Sequence, residues 1–240
     1  MTKEVFTFTD KTALLRELCF LIYKTACNAI KKRGRFSLAL SGGRTPRSLY
    51  ETISSAYGER IDWDRVLLFW GDERFVLNNH HESNYRMAAE SLISRIPIPT
   101  ENVFPVPTRE PTASLAAEAY EKVLRTVFID EKYPRFDLLL LGLGADGHVA
   151  SLFRGSAALK EKSRWVVAAT APEPHAVRER ITVTFPVINS ARTVVMLVAG
   201  EEKRKILEDY SRNAESYPAG FVKPAGRFFI FTDIRVQTAS

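Results

Sequence analysis

The chain predicts an α/β fold, with a mainly parallel sheet and helices on both faces. Three observations carry this expectation. Strand-like and helix-like apolar spacings alternate from end to end. Several strand segments, residues 138–141 and 194–198 among them, are continuous apolar runs, as expected of strands covered on both faces. Loops rich in glycine or charge follow the most apolar strands, where open parallel sheets hold their ligands.

Taken in order, residues 5–8 alternate as a strand, and residues 12–32 have helical apolar spacing that ends near Gly34. Residues 36–40 form a short apolar strand broken by Ser41-Gly42-Gly43. A helix over residues 45–57 follows, with Thr45 as N-cap and Pro46 at the first helical position. Residues 66–70 are the next buried strand, and Ser83-Asn84 caps a helix through residues 86–94. The Pro-rich stretch 97–111 reads as a long loop, and residues 113–127 as a helix. Residues 136–141 are a third buried strand, followed by a glycine loop and a helix from about His148. Residues 165–169, 181–185, 194–198 and 228–231 supply further strands, with residues 201–210 helical before the last. The arrangement is a modified Rossmann-like one. With no repeat, linker or low-complexity tract, a single domain over residues 1–240 is expected.

Composition excludes several classes. Apolar residues are 45% and charged residues 26% of the 240, close to globular averages, so disordered, collagen-like and disulfide-scaffold chains are out. The longest apolar runs fall far short of the ~20 residues that span a bilayer. Met1-Thr2-Lys3-Glu4 leads into a Phe/Thr alternation with no apolar leader or small-residue cleavage site. A cytoplasmic protein without a membrane partner is expected. Cys19 and Cys27 lie in an apolar-periodic stretch and read as reduced core residues. The net charge of +6 raises the question of an anionic partner. The dense basic cluster Lys31-Lys32-Arg33-Gly34-Arg35 sits at a helix-end glycine, where cations suit the helix dipole. It reads as a solvated helix terminus, and no nucleic-acid partner is expected.

Three loops carry the chemistry. In Ser41-Gly42-Gly43-Arg44-Thr45-Pro46, glycines let backbone N–H groups approach an anion at a helix start, and Arg44 and the hydroxyls of Ser41 and Thr45 add donors. The loop lacks the Gly-Lys-Ser/Thr ending of a Walker loop, and an ordinary tight turn has the same pattern. Trp70-Gly71-Asp72-Glu73-Arg74 places three charged residues directly after a buried strand, as a site would or as a solvated surface cluster would. Gly142-Leu143-Gly144-Ala145-Asp146-Gly147-His148 contains a G-x-G-x-x-G, yet Asp146 stands where a pyrophosphate would rest. No acidic residue is well placed for a ribose; Glu173 comes late. A histidine two residues after an aspartate suits an acid–base group held by a carboxylate, although a capping Asp and an exposed His would share the spacing. His80-His81-Glu82 sits on a polar loop and reads as solvated, and no zinc-ligand spacing or G-x-S-x-G elbow is present. His175, among prolines, has no evident partner.

Together these residues resemble the 6-phosphogluconolactonases, members of a superfamily that includes the glucosamine-6-phosphate deaminases. The resemblance is carried by residues 38–46 (LALSGGRTP), 69–76 (FWGDERFV) with Ser83-Asn84, and 141–155 (LGLGADGHVASLFRG). Arg180-Ile181-Thr182, Asn189, Ala191, Gly200 and Lys203 extend it in order over about residues 36–232. Arg154 stands where the family usually has Pro, and the closing segment lacks the usual Trp. The deaminases carry an acidic residue shortly after the histidine, and residues 149–154 contain none.

The resemblance implies hydrolysis of 6-phosphoglucono-δ-lactone to 6-phosphogluconate with no metal and no organic cofactor. It implies a phosphate grip by the Ser41–Thr45 loop with Arg180 and Lys203. His148 is then the general base, Asp146 its orienting partner, and Arg74 a holder of the phosphate or the oxyanion. Asp72 fixes Arg74 or a sugar hydroxyl. A δ-lactone is already reactive, so no protein nucleophile is needed. The partner is a small phosphosugar lactone, and the protein a monomer or weak homo-oligomer. The alternatives are a deaminase or isomerase on the same scaffold, which would release ammonia from glucosamine 6-phosphate, and a non-catalytic sugar-phosphate-binding protein, which would saturate without turnover.

Overall fold

The computed structural model describes residues 3–235; Met1 and Thr2, where the reading of the N-terminus begins, lie outside the described residues. In chain order the elements are β1 (Lys3–Thr7), α1 (Lys11–Arg33), β2 (Phe36–Leu40), α2 (Arg44–Tyr57), β3 (Val66–Trp70), β4 (Asp72–Arg74), α3 (Asn84–Ser91) and α4 (Ala113–Val127). They continue with β5 (Leu138–Gly142), β6 (Val166–Thr170), β7 (Glu179–Val183), α5 (Phe185–Ser190), β8 (Thr193–Val198), α6 (Arg204–Arg212) and β9 (Arg227–Thr232).

Six strands form one sheet in the order β1-β9-β8-β5-β2-β3, and every neighbouring pair in it is parallel. Side chains of a strand alternate between faces. Every position of β2 and β8 is buried, so both faces of the sheet are covered, as the continuous apolar runs predict. At the β1 edge all five residues are exposed, and Phe6 covers part of this edge by packing on Phe229 and Phe231. On the other edge, the loop predicted over 97–111 bridges Val103 to Leu68 and stacks Phe104 on Phe69.

The helices follow from their patterns. In α1, Leu14, Leu18, Ile22 and Ala26 recur on one buried face, each buried Leu or Ile contributing roughly 1.5–3 kcal/mol. Asp10 caps its start by accepting from the Ala13 N–H at 2.8 Å. Gly34, at φ 76°, ends it by donating to the Ile30 carbonyl, which leaves Lys31, Lys32 and Arg33 in the last turn. Ser83 caps α3 through the Arg86 N–H, as its sequence indicates.

Several details differ from the sequence reading. Helix α2 begins at Arg44 with Gly43 as its N-cap, so Thr45 lies inside the first turn and caps nothing. No helix starts at His148; residues 143–153 run as turns, with left-handed backbone at Gly147 (φ 77°) and Ala150 (φ 48°), which no helix tolerates. Cys19 is buried, and burial pushes its thiol up to about 12, whereas Cys27 is exposed rather than part of the core. The small sheet is antiparallel, in the order β4-β7-β6, and places Arg74 opposite Arg180. Three residues of charged loop sequence make β4 too short to show a period, which is why it is invisible before its partner is known.

Where the parallel strands begin, a charged cluster closes around one carboxylate. Asp137 is buried and accepts from the Ser37 N–H (2.9 Å), the Ser37 hydroxyl (3.0 Å) and the Arg33 guanidinium (2.6 Å), with Arg192 Nε at 3.4 Å. It ties the starts of β2, β5 and β8 together.

Candidate active site

At the opposite, C-terminal ends of β2, β3, β5 and β8, four loops converge on a cavity of about 630 Å³. Of the predicted site residues, Ser41, Gly42, Gly43, Arg44, Thr45, Asp72, Arg74, His148 and Lys203 line it. Asp146 and Arg180 do not line it.

The His148 turn is held by its own backbone. The Gly144 N–H donates to the His148 carbonyl at 2.9 Å, and the Gly147 N–H to the Gly144 carbonyl at 3.0 Å. A Cβ at Gly144 would collide with the His148 ring, so the close approach requires glycine there. Asp146 Oδ1 meets His148 Nδ1 at 2.5 Å and also accepts from the His148 N–H at 3.3 Å. Burial raises the Asp146 carboxyl, but the hydrogen bond to His148 and its charge outweigh this and hold it at about 2. The carboxylate is therefore ionised and faces Nδ1, a geometry that favours the tautomer with its proton there and directs Nε2 elsewhere. Phe153 packs on the imidazole with ring centroids 4.5 Å apart.

The charged loop after β3 separates into three roles. Glu73, 1% exposed, turns inward and accepts from the backbone of Arg74, Asn84 and Tyr85, each at 2.7 Å, and from the Ser83 hydroxyl at 3.1 Å. Burial raises its carboxyl against those bonds. It pins β4 to the start of α3. Asp72 does not hold Arg74, as the resemblance allowed; its Oδ2 accepts from the Ser151 hydroxyl at 2.7 Å. Arg74 is instead oriented by neutral acceptors, the Glu82 carbonyl at 2.6 Å and Asn84 Oδ1 at 2.8 Å. Its charge is thus aimed without being neutralised.

The expected phosphate grip divides. Lys203 donates to the Leu143 carbonyl at 2.8 Å; burial lowers its ammonium, Glu202 opposes this, and Arg44 adds to it. Arg44 itself pairs with Glu202 at 3.0 Å across the mouth. Arg180 belongs with Arg74 at the small sheet, where burial and the Arg74 charge lower it while Asp72 and Glu82 oppose. Buried Arg180 Nε and Nη1 and Ser41 Oγ have no hydrogen-bond partner among the described residues, an arrangement that an anion would relieve.

Three lining residues escaped the sequence reading. Asn84 reads as part of a helix start and of the resemblance, with no site role, yet its amide bridges Arg74 and the Asp72 carbonyl at 2.9 Å. Glu202 precedes Lys203 and carries no motif of its own. His175 comes to within 6.2 Å of His148, centroid to centroid, and its imidazolium is disfavoured by burial and then by Arg180. His80 and His81 stack on each other away from this cavity. Among the described residues, no group of three or more His, Cys, Asp or Glu side chains is placed to hold a metal ion.

The family model described as glucosamine-6-phosphate isomerases/6-phosphogluconolactonase matches residues 9–230. The chain belongs to this family. Among its relatives, a protein of Nostoc sp. named 6-phosphogluconolactonase is 38% identical over 238 residues, covering 97% of this chain and 96% of that one. The solved structure of 6-phosphogluconolactonase from Thermotoga maritima superposes with a TM-score of 0.83 at 29% identity, covering 96% of this chain and 99% of that one. That of the Trypanosoma brucei 6-phosphogluconolactonase does so with a TM-score of 0.86 at 28% identity, covering 96% of each. The α/β architecture is that of these lactonase structures.

Proposed function

We propose that the chain hydrolyses 6-phosphoglucono-δ-lactone to 6-phosphogluconate. The observation that carries this is the Asp146–His148 pair at a cavity whose other walls present Arg74, held by neutral acceptors, and Lys203. His148 Nε2 takes a proton from water as the water oxygen bonds to the lactone carbonyl carbon. Charge collects on the carbonyl oxygen, and Arg74 stabilises it. When the tetrahedral carbon collapses, the bond to the ring oxygen breaks and that oxygen takes the proton from His148. The nascent carboxylic acid loses its proton to water. Asp146 keeps Nδ1 protonated throughout. The Ser41–Thr45 backbone, Arg44 and Lys203 receive the phosphate at the start of α2, Arg180 backs the Arg74 side, and Asp72 takes a sugar hydroxyl.

The same reading makes residues 1–240 one catalytic domain, working in the cytoplasm as a monomer or weak homo-oligomer without a cofactor or nucleic-acid partner. No helix among the described residues is long and apolar enough to cross a membrane. The deciding experiment is hydrolysis of freshly generated lactone, with spontaneous opening subtracted. Turnover well above background, with none of the ammonia release from glucosamine 6-phosphate that a deaminase gives, is the expected result. Saturable binding without turnover would overturn it.

A further inference from the structure

The Asp146–His148 turn is braced from outside the cavity by a segment to which the chemistry assigns nothing. Gly147, between the two side chains, holds φ 77°, and a Cβ there would strike the ring of Tyr217. The Gly147 carbonyl accepts from the Ala219 N–H at 3.0 Å. Tyr217 is itself fixed: its N–H donates to the Ala214 carbonyl at 3.1 Å, and its carbonyl accepts from Gly220 at 2.9 Å. Arg154 then closes the brace, its guanidinium 5.6 Å from the centre of the Tyr217 ring and its Nη2 donating to the Ser216 carbonyl. Arg154 directly follows Phe153, the residue packed on the His148 ring. The brace therefore meets the histidine's turn on both sides in sequence, at Gly147 and at residues 153–154.

From this geometry we infer that Tyr217 is a positioning residue for the Asp146–His148 pair, acting through Gly147 and locked in place by Arg154. The inference rests on the reading of His148 as general base. Tyr217 does not line the cavity, and its segment meets the site at this turn. The ring surface, not the hydroxyl, makes the contact with Gly147. Removing it leaves a left-handed glycine with open space beside it, and the 144–148 turn gains alternatives that displace the base. A displacement near 1 Å is enough to cost about 100-fold in rate.

The test compares Tyr217→Ala, Tyr217→Phe and Arg154→Ala with the wild type in lactone hydrolysis, and follows the His148 Nδ1–H resonance by NMR, assigned with His148→Asn. Tyr217→Ala should lower kcat by roughly 10–100-fold with KM within about twofold, and should shift or broaden the Nδ1–H signal. Tyr217→Phe should keep both kcat and signal. Arg154→Ala should lose about 2–5-fold in kcat, the scale of an exposed cation–π contact. Folded Tyr217→Ala protein with wild-type kcat, or with reduced kcat and an unchanged Nδ1–H signal, overturns the inference. If Tyr217→Ala does not fold, Tyr217→Leu and Arg154→Ala carry the same comparison. The resonance reads the brace even if His148→Asn proves active, so failure of the base assignment and failure of the brace are distinguishable.

Discussion

Both ends of the parallel sheet collect charge, but they satisfy it differently. Where the strands begin, Asp137 receives two donors from Ser37 and one from Arg33, which closes off the carboxylate, while Arg192 Nε stands at 3.4 Å without a hydrogen bond. Where the strands end, Arg74 is aimed by neutral acceptors, and Arg180 and Ser41 keep buried donors without partners. A buried polar group left unpaired costs stability. The first cluster holds the strands in place; the second leaves Arg74 facing the cavity. What the contrast teaches is that buried charge alone does not mark a site: at one end a carboxylate gathers the cations, and at the other Arg74 lines the cavity on neutral acceptors.

Substitutions at the two ends should therefore separate rate from stability. The largest effect is expected at the open end. His148→Asn should lower kcat by about 10²–10⁴ while leaving 6-phosphogluconate affinity nearly unchanged. A near wild-type rate after background subtraction would move the base to Asp146 or Asp72. At the closed end, Asp137→Ala strands the Ser37 N–H and the arginine charges. Urea denaturation should show a loss of about 3–5 kcal/mol, with kcat of the folded protein intact. A large loss of kcat there would break the division of labour.

Smaller effects sharpen it. Lys203→Ala should weaken 6-phosphogluconate binding in calorimetry by roughly 1.5–3 kcal/mol and leave turnover of unphosphorylated gluconolactone unchanged. Equal losses with both ligands would remove Lys203 from the phosphate. The smallest effect is a pH dependence of stability. The folded Asp146 carboxyl is held at about 2, below its unfolded value near ~3.9, so its contribution is present above that value and fades as pH falls toward 2. Over that window the stability gap between wild type and Asp146→Asn should narrow, measured by urea titration at each pH.

How much of this was legible in the chain follows from how far each signal reaches. Continuous apolar runs needed no partner to be read, and β2, β3 and α4 lie where residues 36–40, 66–70 and 113–127 placed them. The glycine loop after β2, Asp72, Arg74 and the spacing of Asp146 and His148 were likewise visible as local patterns, and the resemblance joined them into one site. The family match over residues 9–230 agrees with that resemblance. Tertiary structure decided the rest. A helix from His148 was a reasonable local expectation, but the turn bends through Gly147 to meet Tyr217, some seventy residues later in the chain by rough count. Glu73 looks like a site charge in sequence and is an anchor in the fold, because the donors it satisfies lie in residues 83–85 as well as at Arg74. Arg180 reaches Arg74 only through antiparallel pairing of a three-residue strand, and His175 reaches His148 across a loop. Short-range pattern determines which segments become strands and which loops carry chemistry. Which charges face one another is settled when distant segments pack, since a side chain's partner, and so its role, depends on contacts that no sequence window contains.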